Sequence, residues 1–193
     1  MSELPIQRLL LEAIGIIEGL HLSYAIIGGF AVPAWGVPRP TYDADIAVAD
    51  IAVAADDEQL ENLLAALERA GFTVLDEYLR GFQDVVAGMR KVKVTRLEAR
   101  SVWEIDIFLA RGAFLEETIS RRRNLPLAGR PVSVLAPEDL ILLKLIAHRR
   151  KDQLDVEEIL RITPAVDVAY LRRWAAQLDV SDRLEQFLAE RRS

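Results

Sequence analysis

The sequence predicts a mixed α/β fold, a β-sheet with flanking helices followed by a helical C-terminal half. Three observations carry that expectation. The middle of the chain alternates apolar and polar residues with period 2, most plainly in KVKVTRL (91–97) and VWEIDIFL (102–109). Amphipathic helical spacing appears before those segments, over 3–20 and 56–70. After Pro137 the strand patterns stop and four consecutive helical segments follow.

In order along the chain, Ile6, Leu9, Leu10, Ala13, Ile14 and Ile17 fall at helical spacing over 3–20, with Ser2 available as N-cap. Residues 24–27 form a short apolar strand ending in Gly28-Gly29. A short helix over 30–35 is stopped by Gly36-Val37-Pro38-Arg39-Pro40. A second strand is expected over 41–49, TYDADIAVA. A helix over 56–70 places Leu60, Leu63, Leu64 and Leu67 in register, with Gly71 suited to its C-cap. Strands are expected at 85–87, 92–97 and 102–109, a helix at 114–122 and a last strand at 131–135. Helices then cover 138–149, 153–162, 167–178 and 181–191. No repeat, low-complexity tract or linker is read in the chain. The change near residue 136 suggests an α/β unit over 1–136 and a helical unit over 137–193.

Composition narrows the function classes. Of 193 residues 51% are hydrophobic and 28% charged, enough apolar material for a sizeable core and too much for a disordered chain. There is no cysteine, which removes disulfides, thiolate zinc sites and cysteine nucleophiles and fits a reducing compartment. With His21 and His148 as the only histidines, a metal here would be held by oxygen, pointing to magnesium or manganese. A net charge of -6 argues against a broad duplex-binding face and leaves room for a local basic patch. The N-terminus lacks the basic start of a signal peptide, and no apolar run approaches the ~20 residues that span a bilayer. A cytoplasmic protein without a membrane segment is expected.

The most informative stretch is Ile26-Ile27-Gly28-Gly29, thirteen intervening residues, then Asp43-Ala44-Asp45. On a strand, positions i and i+2 share a face, so Asp43 and Asp45 would present adjacent carboxylates. Two such groups ~4 Å apart repel by about 4 kcal/mol at an effective dielectric of 20, a penalty that a divalent cation removes. Gly28 and Gly29 stand where strand turns to helix, and without side chains their backbone N–H groups can approach phosphates closely. Asp106 lies mid-strand, opposite the apolar face of Trp103, Ile105, Ile107 and Leu109. Taken singly, a Gly-Gly is usually a tight turn and an Asp-x-Asp a solvated strand end. It is their order around one strand–helix–strand unit that gives them weight.

The pattern Gly28-Gly29, Arg39-x-Thr41-x-Asp43-x-Asp45, then Asp106 resembles the polymerase β-like nucleotidyltransferase superfamily. That resemblance implies a short mixed sheet with flanking helices and transfer of a nucleotidyl group from an NTP. It implies that Asp43, Asp45 and Asp106 hold two magnesium (or manganese) ions, and that Gly28 and Gly29 bind triphosphate, with Arg39 and Thr41 in the nucleotide-binding pattern. Gly29 departs from the serine of many members and lacks that hydroxyl contact.

A second signature lies in EDLILLKLIAHRRKDQLD (138–155), which is similar to the AbiEii-like toxin branch of the superfamily. The resemblance, covering about 22–160, implies that Lys144 contacts NTP phosphates and that Asp152 orients a basic or substrate group, with Asp155 in support. The ordinary alternatives are a snorkelling Lys144 and an N-cap at Asp152 with Asp155 as its N3 partner. Lys144, His148, Lys151 and Asp155 would share one face of a continuous helix. Arg121-Arg122-Arg123 and Arg149-Arg150-Lys151 read as solvated helix ends or as a local patch for an anionic acceptor. Trp174 and Phe187 are expected in the core.

The resulting expectation is an Mg-dependent nucleotidyltransferase moving NMP from an NTP to an acceptor hydroxyl, with a tRNA end as acceptor and an antitoxin partner where the resemblance to toxin–antitoxin toxins extends that far. A catalytically silent NTP-binding regulatory or partner-binding module, and an antibiotic-modifying nucleotidyltransferase, are the alternatives.

Overall fold

The computed structural model describes residues 5–36, 48–79, 84–86, 89–98 and 101–191. A single eight-stranded mixed sheet organises it. Its strands are β1 (Ser23–Ile27), β2 (Val48–Ala54), β3 (Thr73–Val74), β4 (Asp84–Val86), β5 (Met89–Glu98), β6 (Ser101–Leu109), β7 (Arg123–Leu127) and β8 (Arg130–Val134). They lie in the order β3-β5-β6-β2-β1-β8-β7, with β4 on β5. The β2–β6 and β1–β8 pairs are parallel and the other pairs antiparallel. The helices are α1 (Pro5–Gly19), α2 (Gly28–Ala34), α3 (Asp57–Arg69), α4 (Asp76–Leu79), α5 (Ala113–Ser120), α6 (Pro137–Ala147), α7 (Arg150–Ile162), α8 (Val168–Gln177) and α9 (Ser181–Glu190).

Local chemistry accounts for most of these boundaries. In α1 all six residues of the predicted stripe, Ile6 to Ile17, are buried. Asp56 caps α3 by accepting from Gln59 N at 2.8 Å, while the Gln59 side chain accepts from Asp56 N at 3.0 Å, a reciprocal capping box. Gly71 follows that helix at φ 88, the left-handed conformation a Schellman-type ending needs. Leu60, Leu63, Leu64 and Leu67 are buried as their spacing requires. Trp174 packs its ring against Phe114 with centroids 5.1 Å apart, and Phe187 is buried too.

Several expectations need correction. The second strand runs over 48–54, five residues later than its predicted end; residues 41–47 lie outside the described residues. The helix expected over 138–149 stops at Ala147, because His148 turns left-handed (φ 50) and donates from its backbone N–H to Lys144 O at 2.8 Å. The α6–α7 corner thus replaces a continuous face. Strand β7 was missed: RNLPL contains Pro126 and lacks clean alternation, and it holds its place at the sheet edge, where a missing N–H is tolerated. Among the described residues no helix is long and apolar enough to cross a membrane.

Candidate active site

The sheet places the glycine step at the end of β1 and Asp106 on β6, with β2 between the two strands. β1 ends at Ile27 and α2 begins at Gly28, whose φ of 63 suits a residue without a Cβ. Ile27 is the Cα partner of Asp50 on β2, and Asp50 is in turn the partner of Asp106 on β6. Next to β1, Leu135 N–H donates to Ile26 O at 3.2 Å and the Trp35 indole N–H donates to Leu135 O at 2.8 Å. These bonds tie the end of α2 to the junction where β8 leads into α6.

Asp106 is buried, with a relative exposure of 8%. Its Oδ2 accepts from Lys91 Nζ at 3.1 Å, and Lys93 Nζ stands 3.9 Å from its Oδ1. Lys93 also pairs with Glu104. The period-2 pattern that built β5 places Lys91 and Lys93 on one face, so this basic support was implicit in KVKV though not read there. Asp106 Oδ1 is buried and accepts no hydrogen bond. A buried acceptor is ordinarily satisfied, so an orphaned carboxylate oxygen is a place where a cation ligand fits.

Lys144 forms a second buried cluster. Its Nζ lies 2.5 Å from Asp155 Oδ2 and 3.6 Å from Asp152 Oδ1, with all three side chains buried. The turn at His148 brings α7 back along α6, and the cluster forms across the corner. Asp152 is the N3 residue of α7 and not its N-cap; it accepts from Arg149 N at 3.2 Å and Arg149 Nε at 2.6 Å. Burial pushes the Asp152 carboxyl up, but the Arg149 hydrogen bond and the Lys144 charge outweigh it, leaving the group below its usual range.

Arg121 joins neither a solvated helix end nor an open basic patch. Its guanidinium lies 3.7 Å from the centroid of the Tyr170 ring and pairs with Glu138 at 3.1 Å and Asp139 at 3.3 Å. Tyr170 donates to Asp139 Oδ1 at 2.5 Å. Sequence reading passed over this group because its four members come from three separate segments. The hint was acidic Glu138-Asp139 at the start of a helix whose next four residues are apolar, where both acids are buried.

Of the predicted site residues, Gly28 and Gly29 follow β1 and Asp106 lies on β6, two strands separated by β2, and Lys144 stands 3.6 Å from Asp152. Arg39, Thr41, Asp43 and Asp45 lie outside the described residues. Among the described residues no group of three or more His, Asp or Glu side chains is placed to hold a metal ion.

No family model matches the chain, and no curated protein matches it in sequence. Solved structures do match. The crystal structure of ANT(2'')-Ia in complex with adenylyl-2''-tobramycin aligns with a TM-score of 0.56 at 15% identity, covering 90% of this chain and 96% of that one. The solution structure of the same antibiotic-resistance factor aligns with a TM-score of 0.52 at 13% identity, covering 89% and 94%. The chain therefore has the fold of that protein, a mixed sheet with flanking helices and a helical C-terminal half.

Proposed function

We propose that this protein is an Mg-dependent nucleotidyltransferase that moves NMP from an NTP to an acceptor hydroxyl. The observation that supports the reading is Asp106, a buried carboxylate with one oxygen that accepts no hydrogen bond, on a strand separated by β2 from the strand that precedes the Gly28-Gly29 step. Its resemblance pattern and the ANT(2'')-Ia-like fold support the same chemistry from independent directions. Residues 1–136 would form the catalytic unit and 137–193 would complete its cleft.

Asp43, Asp45 and Asp106 would hold two magnesium ions, a hard-oxygen donor set matched to that metal. When bound, the metals would neutralise the triphosphate and lower the pKa of the attacking hydroxyl. The acceptor oxygen attacks the α-phosphorus, the bond to the bridging oxygen of the β-phosphate breaks, and pyrophosphate leaves. Asp106 takes the hydroxyl proton. Gly28, Gly29, Arg39 and Thr41 seat the phosphates. The Lys144 ammonium has three N–H donors; one goes to Asp155, Asp152 Oδ1 stands 3.6 Å away, and a further N–H would serve a phosphate oxygen.

The acceptor follows from two lines of support. The AbiEii-like signature favours a tRNA end, with an antitoxin as partner. The near-complete mutual coverage with ANT(2'')-Ia favours a small-molecule acceptor, since that protein is bound to an adenylylated tobramycin. The test is transfer of label from each α-labelled NTP, with Mg2+, to total RNA and to an aminoglycoside panel, comparing wild type with Asp106→Asn. Label on either acceptor from wild type alone supports the enzyme and names its substrate. Nucleotide binding without label on any acceptor would favour a silent NTP-binding module.

A further inference from the structure

In the hairpin of β5 and β6 the register sets Lys93 directly opposite Asp106, Thr95 opposite Glu104 and Lys91 opposite Phe108. The lysines do not bond straight across. Lys91 reaches diagonally to Asp106 Oδ2 at 3.1 Å, and Lys93 reaches past Asp106 in the same direction to pair with Glu104. Diagonal neighbours on one face are ~7–8 Å apart, within reach of a lysine stem. Lys93 Nζ is thereby held 3.9 Å from Asp106 Oδ1, too far to donate, and that oxygen keeps no hydrogen bond. The side chains of Lys91 and Lys93 are only 11% and 23% exposed, so these are not lysines that trail into solvent. Two ammonium groups are fixed against the carboxylate of the proposed site.

A magnesium ion bonds a carboxylate oxygen at ~2.1 Å, so one on Oδ1 falls within about 6 Å of the Lys93 ammonium where it now stands. That is inside the ~8 Å screening length of physiological salt. The lysine charges therefore act on whatever enters, and they act with opposite sign on two entrants. A bare divalent cation is repelled. The same cation carried by a triphosphate belongs to a complex of net charge about −2, which the lysines attract.

We infer that Lys91 and Lys93 are specificity-determining residues: they weaken binding of the free metal at Asp106 and strengthen binding of the metal–triphosphate complex, so that metal and nucleotide enter together. The inference rests on the proposed function, which supplies the metal and the NTP. Lys91 has a second part, since by holding Asp106 through Oδ2 it leaves Oδ1 for the cation.

Three substitutions separate charge from support. Lys91→Gln keeps an N–H donor for Asp106 without the charge, Lys91→Arg keeps both, and Lys93→Met removes the second charge. Urea unfolding checks that each full-length variant is folded. Free Mn2+ binding is read by electron paramagnetic resonance. Binding of Mn2+ with each of the four α,β-methylene NTPs is read by calorimetry, the methylene standing in for the bridging oxygen whose bond breaks in transfer. Lys91→Gln and Lys93→Met should each bind free Mn2+ about threefold more tightly and the Mn2+–analogue complex about threefold more weakly. Lys91→Arg should match wild type in both. A lysine that only supports the fold gives no such crossing, because its loss weakens both affinities together. Affinities that fall together, or that do not move, overturn the proposal; if Lys91→Gln does not fold, Lys93→Met decides by the same two shifts. Wild type that binds no analogue with Mn2+, or Asp106→Asn that binds metal and complex as wild type does, sinks the proposed function itself and this inference with it.

Discussion

The Tyr170 hydroxyl donates a hydrogen bond to Asp139 Oδ1 at 2.5 Å, joining α8 to a carboxylate on α6 that has no exposed surface. Burial raises the Asp139 carboxyl to about 6, against the lowering effects of Tyr170 and Arg121. The same burial, with the Asp139 hydrogen bond, raises the Tyr170 hydroxyl above its ordinary value. The pair stays neutral on the tyrosine side throughout the usable pH range.

A pH dependence follows with a definite sign. Asp139 ionises near 3.8 in the unfolded chain and near 6 in the folded one, so between those values the folded state holds more protons. Stability contributed by this group is full below 3.8 and falls as pH rises through 6. At ~1.4 kcal/mol per unit the loss is about 3 kcal/mol. Urea unfolding at pH 4 and pH 7.5 should show this extra fall in wild type and not in Asp139→Asn, whose amide oxygen still accepts from Tyr170. Equal pH dependence in the two proteins would show that Asp139 keeps its ordinary ionisation.

Arg121 gives a contrast within one basic run. It pairs with buried Glu138 and Asp139, whereas exposed Arg123 donates only to the carbonyl of Arg121 at 2.9 Å. Removing one partner of a buried pair leaves an uncompensated charge, at a cost of about 3 kcal/mol. Arg121→Ala should therefore lose about that much in equilibrium unfolding, while Arg123→Ala should change stability by less than about 0.5 kcal/mol. Similar losses in both would mean that the network contributes nothing specific.

How much of this was legible in the sequence depended on whether a feature was local. The stripe of α1, the capping of α3 and the strands around KVKVTRL and VWEIDIFL are encoded within a dozen residues each, and the structure has them close to where they were expected. The Gly28-Gly29 step and Asp106 were legible as motif positions, and the topology places them on adjacent parts of one sheet. The partnership of Lys144 with Asp155 was anticipated on a continuous helix, and it forms instead across a corner made by a left-handed His148. No side-chain pattern announces that turn, because a positive φ is uncommon for any residue other than glycine, even though histidine is among those enriched there. The Arg121–Tyr170 stack and the place of β2 depend on long-range pairing, which periodicity does not carry.

Lys144 separates a structural from a catalytic contribution. Deleting its charge leaves Asp155 and Asp152 buried without their shared cation, so Lys144→Ala should destabilise by about 3 kcal/mol. Lys144→Met/Asp155→Asn removes one charge of each sign and keeps the volume, and it should regain most of that stability in urea unfolding. NMP transfer should stay low in the double variant, because methionine at 144 gives the triphosphate neither a positive charge nor an N–H. Recovery of transfer along with stability would make Lys144 a structural residue alone.

Asp106 and Glu104 offer the sharpest comparison, since both are acids on the same face of β6 and both pair with Lys93. Only Asp106 has a buried oxygen without a hydrogen-bond partner. Asp106→Asn keeps the shape of the side chain and an acceptor for Lys91, so the fold should survive with a melting temperature close to wild type. If Asp106 has the proposed roles of metal ligand and proton acceptor, transfer should fall by about 1,000-fold, near 4 kcal/mol of transition-state stabilisation. Mg2+ with NTP should raise the melting temperature of wild type and leave that of Asp106→Asn unmoved, since only a state that binds ligand is stabilised by it. Glu104→Gln, whose contact with Lys93 is peripheral, should transfer within about threefold of wild type, a change worth less than 1 kcal/mol. If the two variants lost activity equally, the face of β6 would matter through its charge alone, and the orphaned oxygen of Asp106 would have no special part in the chemistry.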